Sequence, residues 1–378
     1  MKKNQLLLLL GLGVVLAAVA FLVSKKQTAP YQQPARAGAK LLPDLDINAV
    51  GLLSIRSGSN ALTLAKQNDV WVVKERGDYP ANFDTIRDLM RKFHDLKIAR
   101  TVQAGASRLP MLGLDGPEKS STLLEMKAAD GKLLRSVLLG SSGQNEGRGW
   151  PSGRYVMVGN DTKTIGYVAD ALSDVDAAAD RWLNKDFFKV EKLKSIAVTT
   201  PVATNNWKLT RSSESADWKL AGAKAGEELD STKTSGLNSL FSHPSFNDVI
   251  PGTVALDKPI AATLETFDGY TYKLKTAKKT DDNYHLQIAV TAKLVKQRTP
   301  GKDEKPEDKT GLDKEFKDNL KKLEEKLKAE QSCAKWTYVV SKWTVDQILK
   351  NRGDLLAEKK SEEKPSDDQP SAPAPAMQ

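Results

Sequence analysis

The sequence predicts an α+β protein: an N-terminal transmembrane helix followed by two tandem similar domains, each a largely antiparallel sheet with packed helices. Three observations lead there. An unbroken apolar run occupies Leu6–Val23, the body alternates short strand-like segments with a few amphipathic ones, and the order of those segments recurs.

The apolar run comes first. Its eighteen residues are all apolar or glycine, and as a helix they reach roughly 27 Å, about one hydrocarbon core. Residues 1–26 therefore read as a membrane anchor. Ala18-Val19-Ala20 also has the form of a signal-peptidase site, but Phe21-Leu22-Val23 carry the apolar run past that cut. Basic residues flank both ends (Lys2, Lys3, Lys25, Lys26), so the charge count does not decide orientation. The very short leading tail is that of a signal-anchor. It places the chain in the inner (cytoplasmic) membrane as a single-pass protein with its body outside the cytoplasm.

Residues 27–43, rich in Gln, Ala and Pro, form a spacer. The first repeat, 44–190, opens with strand-like segments around Leu52–Ser54, Leu62–Leu64 and Val70–Val73. Tyr79-Pro80-Ala81-Asn82 then breaks the chain ahead of a helix with Phe83, Ile86, Leu89, Met90, Phe93 and Leu96 on one stripe. After a turn at Leu112–Pro117, strands are expected near 121–128, 132–139, 153–159 and 164–169, and helical segments over 170–187.

The second repeat, 191–358, restates the order. Strand-like segments hold Ile196–Val198, Trp207–Leu209 and Trp218–Leu220, and Asp230 opens a helix carrying Leu237, Leu240 and Phe241. Leu256-Asp257-Lys258-Pro259 restates Leu114-Asp115-Gly116-Pro117, and Tyr338-Val339 restates Tyr167-Val168. Trp71 and Trp218 are expected to be equivalent, buried packing residues. The wider spacing of the last pair assigns the surplus residues to a charged insertion, 299–331, additional to the shared core. The tail, 359–378, has the composition of a disordered segment.

The pattern resembles the bacterial membrane-protein family called domain of unknown function 4340. The residues that carry the resemblance are the N-terminal span, Trp71, Pro80 and Asp84 ahead of the helix, Gly113-Leu114-Asp115-Gly116-Pro117, and Leu138-Leu139-Gly140. It covers most of 45–188 and, more loosely, 191–358. Leu112 stands where the family usually has an aromatic, and Ala255 where the second copy would have the glycine. The resemblance implies association with gliding-motility-type ABC transport systems, beside which such proteins are often encoded.

Composition and motifs narrow the chemistry. The net charge of +9 comes from 57 basic against 48 acidic residues, interspersed and without a basic, aromatic-rich stretch, so no nucleic-acid partner is expected. Cys333 is the lone cysteine, which rules out an internal disulfide and a Cys-based zinc cage. Asp44–Asn48 begins like a calcium loop, but Ala49 and Ile55 stand where such a loop needs Gly and Glu. His94, His243 and His285 have no metal-ligand spacing. Gly140–Trp150 is glycine-rich yet joins two strands and lacks the Walker ending, so it reads as a mobile hairpin loop. No catalytic, cofactor or metal residues are assigned.

Two places remain for recognition. One is the hairpin with Arg148, Trp150 and Arg154, residue types that anchor interfaces, against a Trp folded back on its own sheet. The other is a helix at 312–331, where Leu312, Phe316, Leu320, Leu323 and Leu327 form a narrow stripe on an otherwise charged surface. That stripe covers either its own domain or a partner. The sequence thus points to a membrane-anchored, non-catalytic accessory or adaptor protein of the bacterial envelope with a protein partner, ABC-transporter subunits by resemblance. An envelope hydrolase with an unrecognised site is the alternative.

Overall fold

A computed structural model describes residues 37–144, 151–162, 165–301 and 304–358. The Leu6–Val23 run, Arg148, Trp150 and the tail lie outside the described residues. Among those described, no helix is long and apolar enough to cross a membrane. The chain divides into two compact units, one up to Asn184 and the other from Lys185.

In the first unit, strands β1 (Leu52–Ser57), β2 (Asn60–Gln67), β3 (Val70–Val73) and β4 (Tyr79–Pro80) precede helix α1 (Phe83–Asp95). Strands β5 (Ile98–Val102), β6 (Thr122–Lys127), β7 (Leu133–Gln144), β8 (Pro151–Val158) and β9 (Ile165–Val168) follow. All pair antiparallel in the order β4-β3-β2-β1-β6-β7-β8-β9-β5. Asn82 caps α1 by accepting from the Thr85 N–H at 3.2 Å, satisfying one of the free donors of its first turn. Ile86, Leu89, Met90 and Phe93 are buried as the stripe requires, whereas Phe83 is 58% exposed at the helix start. One sheet face buries Leu53, Ile55, Leu64, Leu124 and Val137. The other packs Leu138, Met157 and Ile165 against Ala104 and Leu114. Coverage of both faces explains why β6, β7 and β8 carry consecutive apolar residues instead of strict alternation.

The glycines of the family motif have a steric role. Gly113 lies at φ 64° and closes the turn Pro110–Leu112, a left-handed conformation that glycine adopts without penalty. A Cβ there would sit 2.7 Å from the Ser141 backbone nitrogen, and one on Gly140 would collide with the Leu112 carbonyl. The turn therefore sits directly on β7. Ser121 fastens it by donating to the Gly113 carbonyl at 2.7 Å.

The helical segments expected over 170–187 are not formed; the stretch is irregular apart from one 3-10 turn, Ala179–Trp182. Aspartates capture the backbone instead. Asp170 accepts from the Leu172 N–H at 2.7 Å and Asp176 from the Ala178 N–H at 2.9 Å, local bonds that compete with a helix. The segment returns to α1, where the Trp182 carbonyl accepts from the Asn82 N–H at 2.7 Å.

The second unit contains β10 (Leu193–Thr199), β11 (Trp207–Thr210), β12 (Lys219–Leu220), α2 (Ser231–Thr234) and β13 (Asp248–Pro251). Next come β14 (Ile260–Thr266), β15 (Tyr270–Lys278), β16 (Asn283–Ala292), α3 (Lys309–Gln331), β17 (Trp336–Ser341) and α4 (Lys342–Leu349). Its sheet runs β12-β11-β10-β14-β15-β16-β17-β13, again antiparallel. Position by position this is the order of the first sheet, with β4 alone lacking a counterpart. Lys258 even takes φ 43° where Gly116 takes φ 118°. Both units are thus predominantly antiparallel sheet with few helices.

Three expectations for this unit are corrected. The helix from Asp230 is a single α turn followed by a 3-10 turn, Ser235–Ser239, because Thr, Ser, Gly and Asn dominate the segment and favour other conformations. Trp71 is 7% exposed, but Trp218 is only half-buried. Arg211 lies 4.7 Å over its ring, and its indole N–H donates to Asn238 Oδ1 at 3.0 Å. Finally, Tyr167-Val168 and Tyr338-Val339 are not in register. Tyr167 is opposite Tyr155 on the face of Met157, whereas Tyr338 is opposite Leu286 in the aromatic cluster of Phe187 and Phe246. A slip of one residue exchanges sheet faces.

Candidate functional site

The stripe helix forms as α3, three residues longer at its start than expected. Its far end is built into the unit. Glu330 is 6% exposed and lies over β15. Its Oε1 accepts from the Lys189 backbone N–H at 2.8 Å and from Lys326 Nζ at 2.7 Å. Its Oε2 accepts from the Tyr272 hydroxyl at 2.8 Å. Tyr270, on the same strand face, donates its hydroxyl to the Leu323 carbonyl, and Lys326 also donates to the Lys189 carbonyl. Burying a carboxylate is tolerable only with such partners. Near the start of α3, Arg298 pairs with Asp313 at 2.7 Å and with Glu304.

Residues 299–331 therefore do not lie wholly outside the core. Glu330 looks like one more surface charge in a Lys/Glu run; its spacing from Lys326 is the only sequence cue. Tyr270 and Tyr272, alternating on β15, carry no cue that they meet a carboxylate. Cys333 is buried, and burial pushes its thiol up, away from reactivity.

Between these fastenings the apolar stripe is only partly covered. Phe316, Leu320, Leu323 and Leu327 are half-buried and Leu312 is 39% exposed. Phe316, Leu320 and Leu323 form one wall of a groove of about 250 Å³, faced by Phe267, Gly269 and Val295. Val295 is 70% exposed. Lys192, Asp268, Lys293 and Asn319 supply a polar rim, with Lys192 and Asp268 paired at 3.4 Å. Gly269 holds the groove floor at φ 91°, and a Cβ there would strike the Lys293 carbonyl. An apolar cleft with a polar rim is suited to receiving an apolar side chain from another molecule.

The hairpin candidate is different. Of its three residues only Arg154 is described, and it turns inward. Its guanidinium donates to the carbonyls of Gly140 at 2.8 Å and Leu172 at 3.2 Å, and burial lowers its pKa. It fastens β8 to neighbouring backbone and presents no free fork. The expected loop is also shorter, since β7 continues to Gln144. Gly143 and Gly153 leave room there for the Tyr167 ring, which a Cβ at Gly153 would approach to 2.7 Å.

The tyrosines under α3 make its docking sensitive to alkali. Burial, then the charge of Glu330, pushes Tyr270 from 10.0 up to about 12. Burial and Glu330 also push Tyr272 up. A folded-state pKa above the unfolded value gives stability that is complete below the unfolded pKa and lost as pH rises through the folded one. The second unit should therefore lose stability between pH 10 and about 12, with α3 amides exchanging first, and Tyr270→Phe should flatten that loss. Hydrogen exchange across this pH window checks it; an unchanged profile in the variant would contradict the assignment.

Both units are antiparallel sheets with a common strand order, and the motif glycines Gly113 and Gly140 mark a turn and its close packing in the first. The family model "Domain of unknown function (DUF4340)" matches residues 71–262. The chain belongs to that family. The match runs from Trp71 on β3 to Ala262 on β14, so one model spans most of the first unit and the opening strands of the second. No curated protein and no solved structure matches the chain.

Proposed function

We propose that this protein is a membrane-anchored, non-catalytic adaptor of the bacterial envelope, held by Leu6–Val23 in the inner membrane with its body outside the cytoplasm. Its partner in this reading is a subunit of an ABC-type transport system. The observation that carries the adaptor reading is the groove beside α3. A helix with charges on its other faces is fastened at both ends, and the apolar stripe between them is left half-covered. The transporter as partner rests on the family resemblance, and the anchor on the unbroken apolar run.

The test is capture of the full-length protein from crosslinked membranes. A Phe316→Asp/Leu320→Asp double variant places charge in the groove and leaves Glu330 and both tyrosines untouched. Wild type is expected to bring down transporter subunits, and the double variant to lose at least about tenfold of that yield while keeping a cooperative unfolding transition. Equal yield from the two proteins would remove the groove from the reading; absence of transporter subunits from both would remove the partner.

A further inference from the structure

A second pocket of this unit, about 340 Å³, lies where α4 faces the loop Ser239–Pro244. Trp343, Asp346 and Gln347 line it and stand at i, i+3 and i+4 of α4, which places them on one helix face. Trp343 is 81% exposed, an unusual position for so large an apolar group. The Gln347 Oε1 is buried yet accepts no hydrogen bond, although buried polar atoms are nearly always paired. Gly236 lies against that amide; a Cβ there would come within 3.2 Å of its Cδ. The Asp346 carboxylate, on helix α4, has no hydrogen bond or ion pair among the described residues.

The opposite wall is fixed in shape. Phe241 takes φ 56°, a conformation strained for a bulky residue. It is held there by burial and by its carbonyl, which accepts from the Val190 N–H at 2.9 Å. Ser239, Ser242 and His243 complete the rim, and no Lys or Arg lines the pocket in a chain that has 57 of them. Two acceptors without donors and an uncovered indole face call for the same thing, a cation with N–H donors and an apolar stem.

We propose that this pocket receives the side chain of an arginine or lysine on a partner polypeptide. The cationic head donates to the Asp346 carboxylate and, once the Gln347 amide turns out from Gly236, to Gln347 Oε1, and the methylene stem lies along the Trp343 ring. A polypeptide suits the site because an exposed Trp beside a small, shaped pocket is the arrangement of an interface anchor, and the volume is at the low end for small-molecule sites. This pocket is separate from the α3 groove, so the two readings stand or fall independently.

The probe is the peptide acetyl-Gly-Arg-Gly-amide, added to full-length protein carrying 5-fluorotryptophan. The seven tryptophans give separate fluorine resonances, with that of Trp343 assigned by Trp343→Phe. A saturable shift of the Trp343 signal is expected at about millimolar peptide. Asp346→Asn and Gln347→Leu should each weaken it by roughly tenfold, as loss of a charge-assisted bond requires. The same peptide with citrulline, the neutral isostere of arginine, should bind at least about tenfold more weakly. An equal response to citrulline, or no saturable shift, would overturn the cation assignment. Methylguanidinium binding as tightly as the peptide would overturn the polypeptide partner in favour of a free cation.

Discussion

Replacing Glu330 with Ala is expected to destabilise the second unit by about 3–5 kcal/mol, the range for removing one partner of a buried ion pair. The substitution leaves the Tyr272 hydroxyl and the Lys189 N–H without their acceptors. It also takes from Lys326 its nearest carboxylate, at 2.7 Å. Glu330→Gln keeps one carbonyl acceptor and should cost less. Native-state hydrogen exchange on β15 reads the change, while amides of β6 and β7 in the first unit should keep their protection. A loss below about 1 kcal/mol, the value of an exposed pair, would show that α3 is merely laid on the sheet.

The second large effect belongs to the first unit. Trp182→Ala should cost about 3–5 kcal/mol there, as for other buried aromatic truncations. Trp182 is 1% exposed, and its indole N–H donates to the Asp176 carbonyl at 2.8 Å. Its own carbonyl receives the Asn82 N–H at the start of α1, so the cavity opens beside the cap of the helix that covers the sheet. Urea unfolding followed by exchange of the α1 amides provides the measure. An unchanged midpoint for those amides would mean that the irregular segment 170–184 is decoration and not a clamp. The two units share neither of these residues, so the effects of Glu330→Ala and Trp182→Ala should add.

Period and turn chemistry made much of this fold legible. The strands around Leu53, Leu62, Val72 and Leu124, the Asn82-capped helix and the apolar stripe from Leu312 to Leu327 all followed from spacing and breakers. The recurrence of segment order also matches the common strand order of the two sheets. What escaped was decided by contacts distant in sequence. Strand β5 exists because Ile98–Val102 finds the open edge of β9, which no local pattern announces. The stretch after Asp170 has helix-compatible residues but is governed by aspartate side chains bonding their own backbone.

The candidate site divides in the same way. Phe316, Leu320 and Leu323 could be read as one face from their spacing alone. That this face is left half-covered depends on Phe267 and Val295, which come from other elements. The fastening by Glu330, Tyr270 and Tyr272 joins residues some sixty positions apart, so helix periodicity could show only the Lys326–Glu330 fragment of it. Arg154 shows the opposite failure. Residue type suggested an interface anchor, whereas the carbonyls of Gly140 and Leu172 engage its guanidinium.

A partner is proposed to dock on the half-covered stripe of α3. Site-specific photo-crosslinking in native membranes tests it most directly, with the photoreactive residue at Leu320 in the groove or at Lys314 on a charged face of the same helix. A discrete adduct with a transporter subunit is expected from Leu320, and little from Lys314. Comparable adducts from both positions, or none from Leu320 in protein that remains folded, would contradict it.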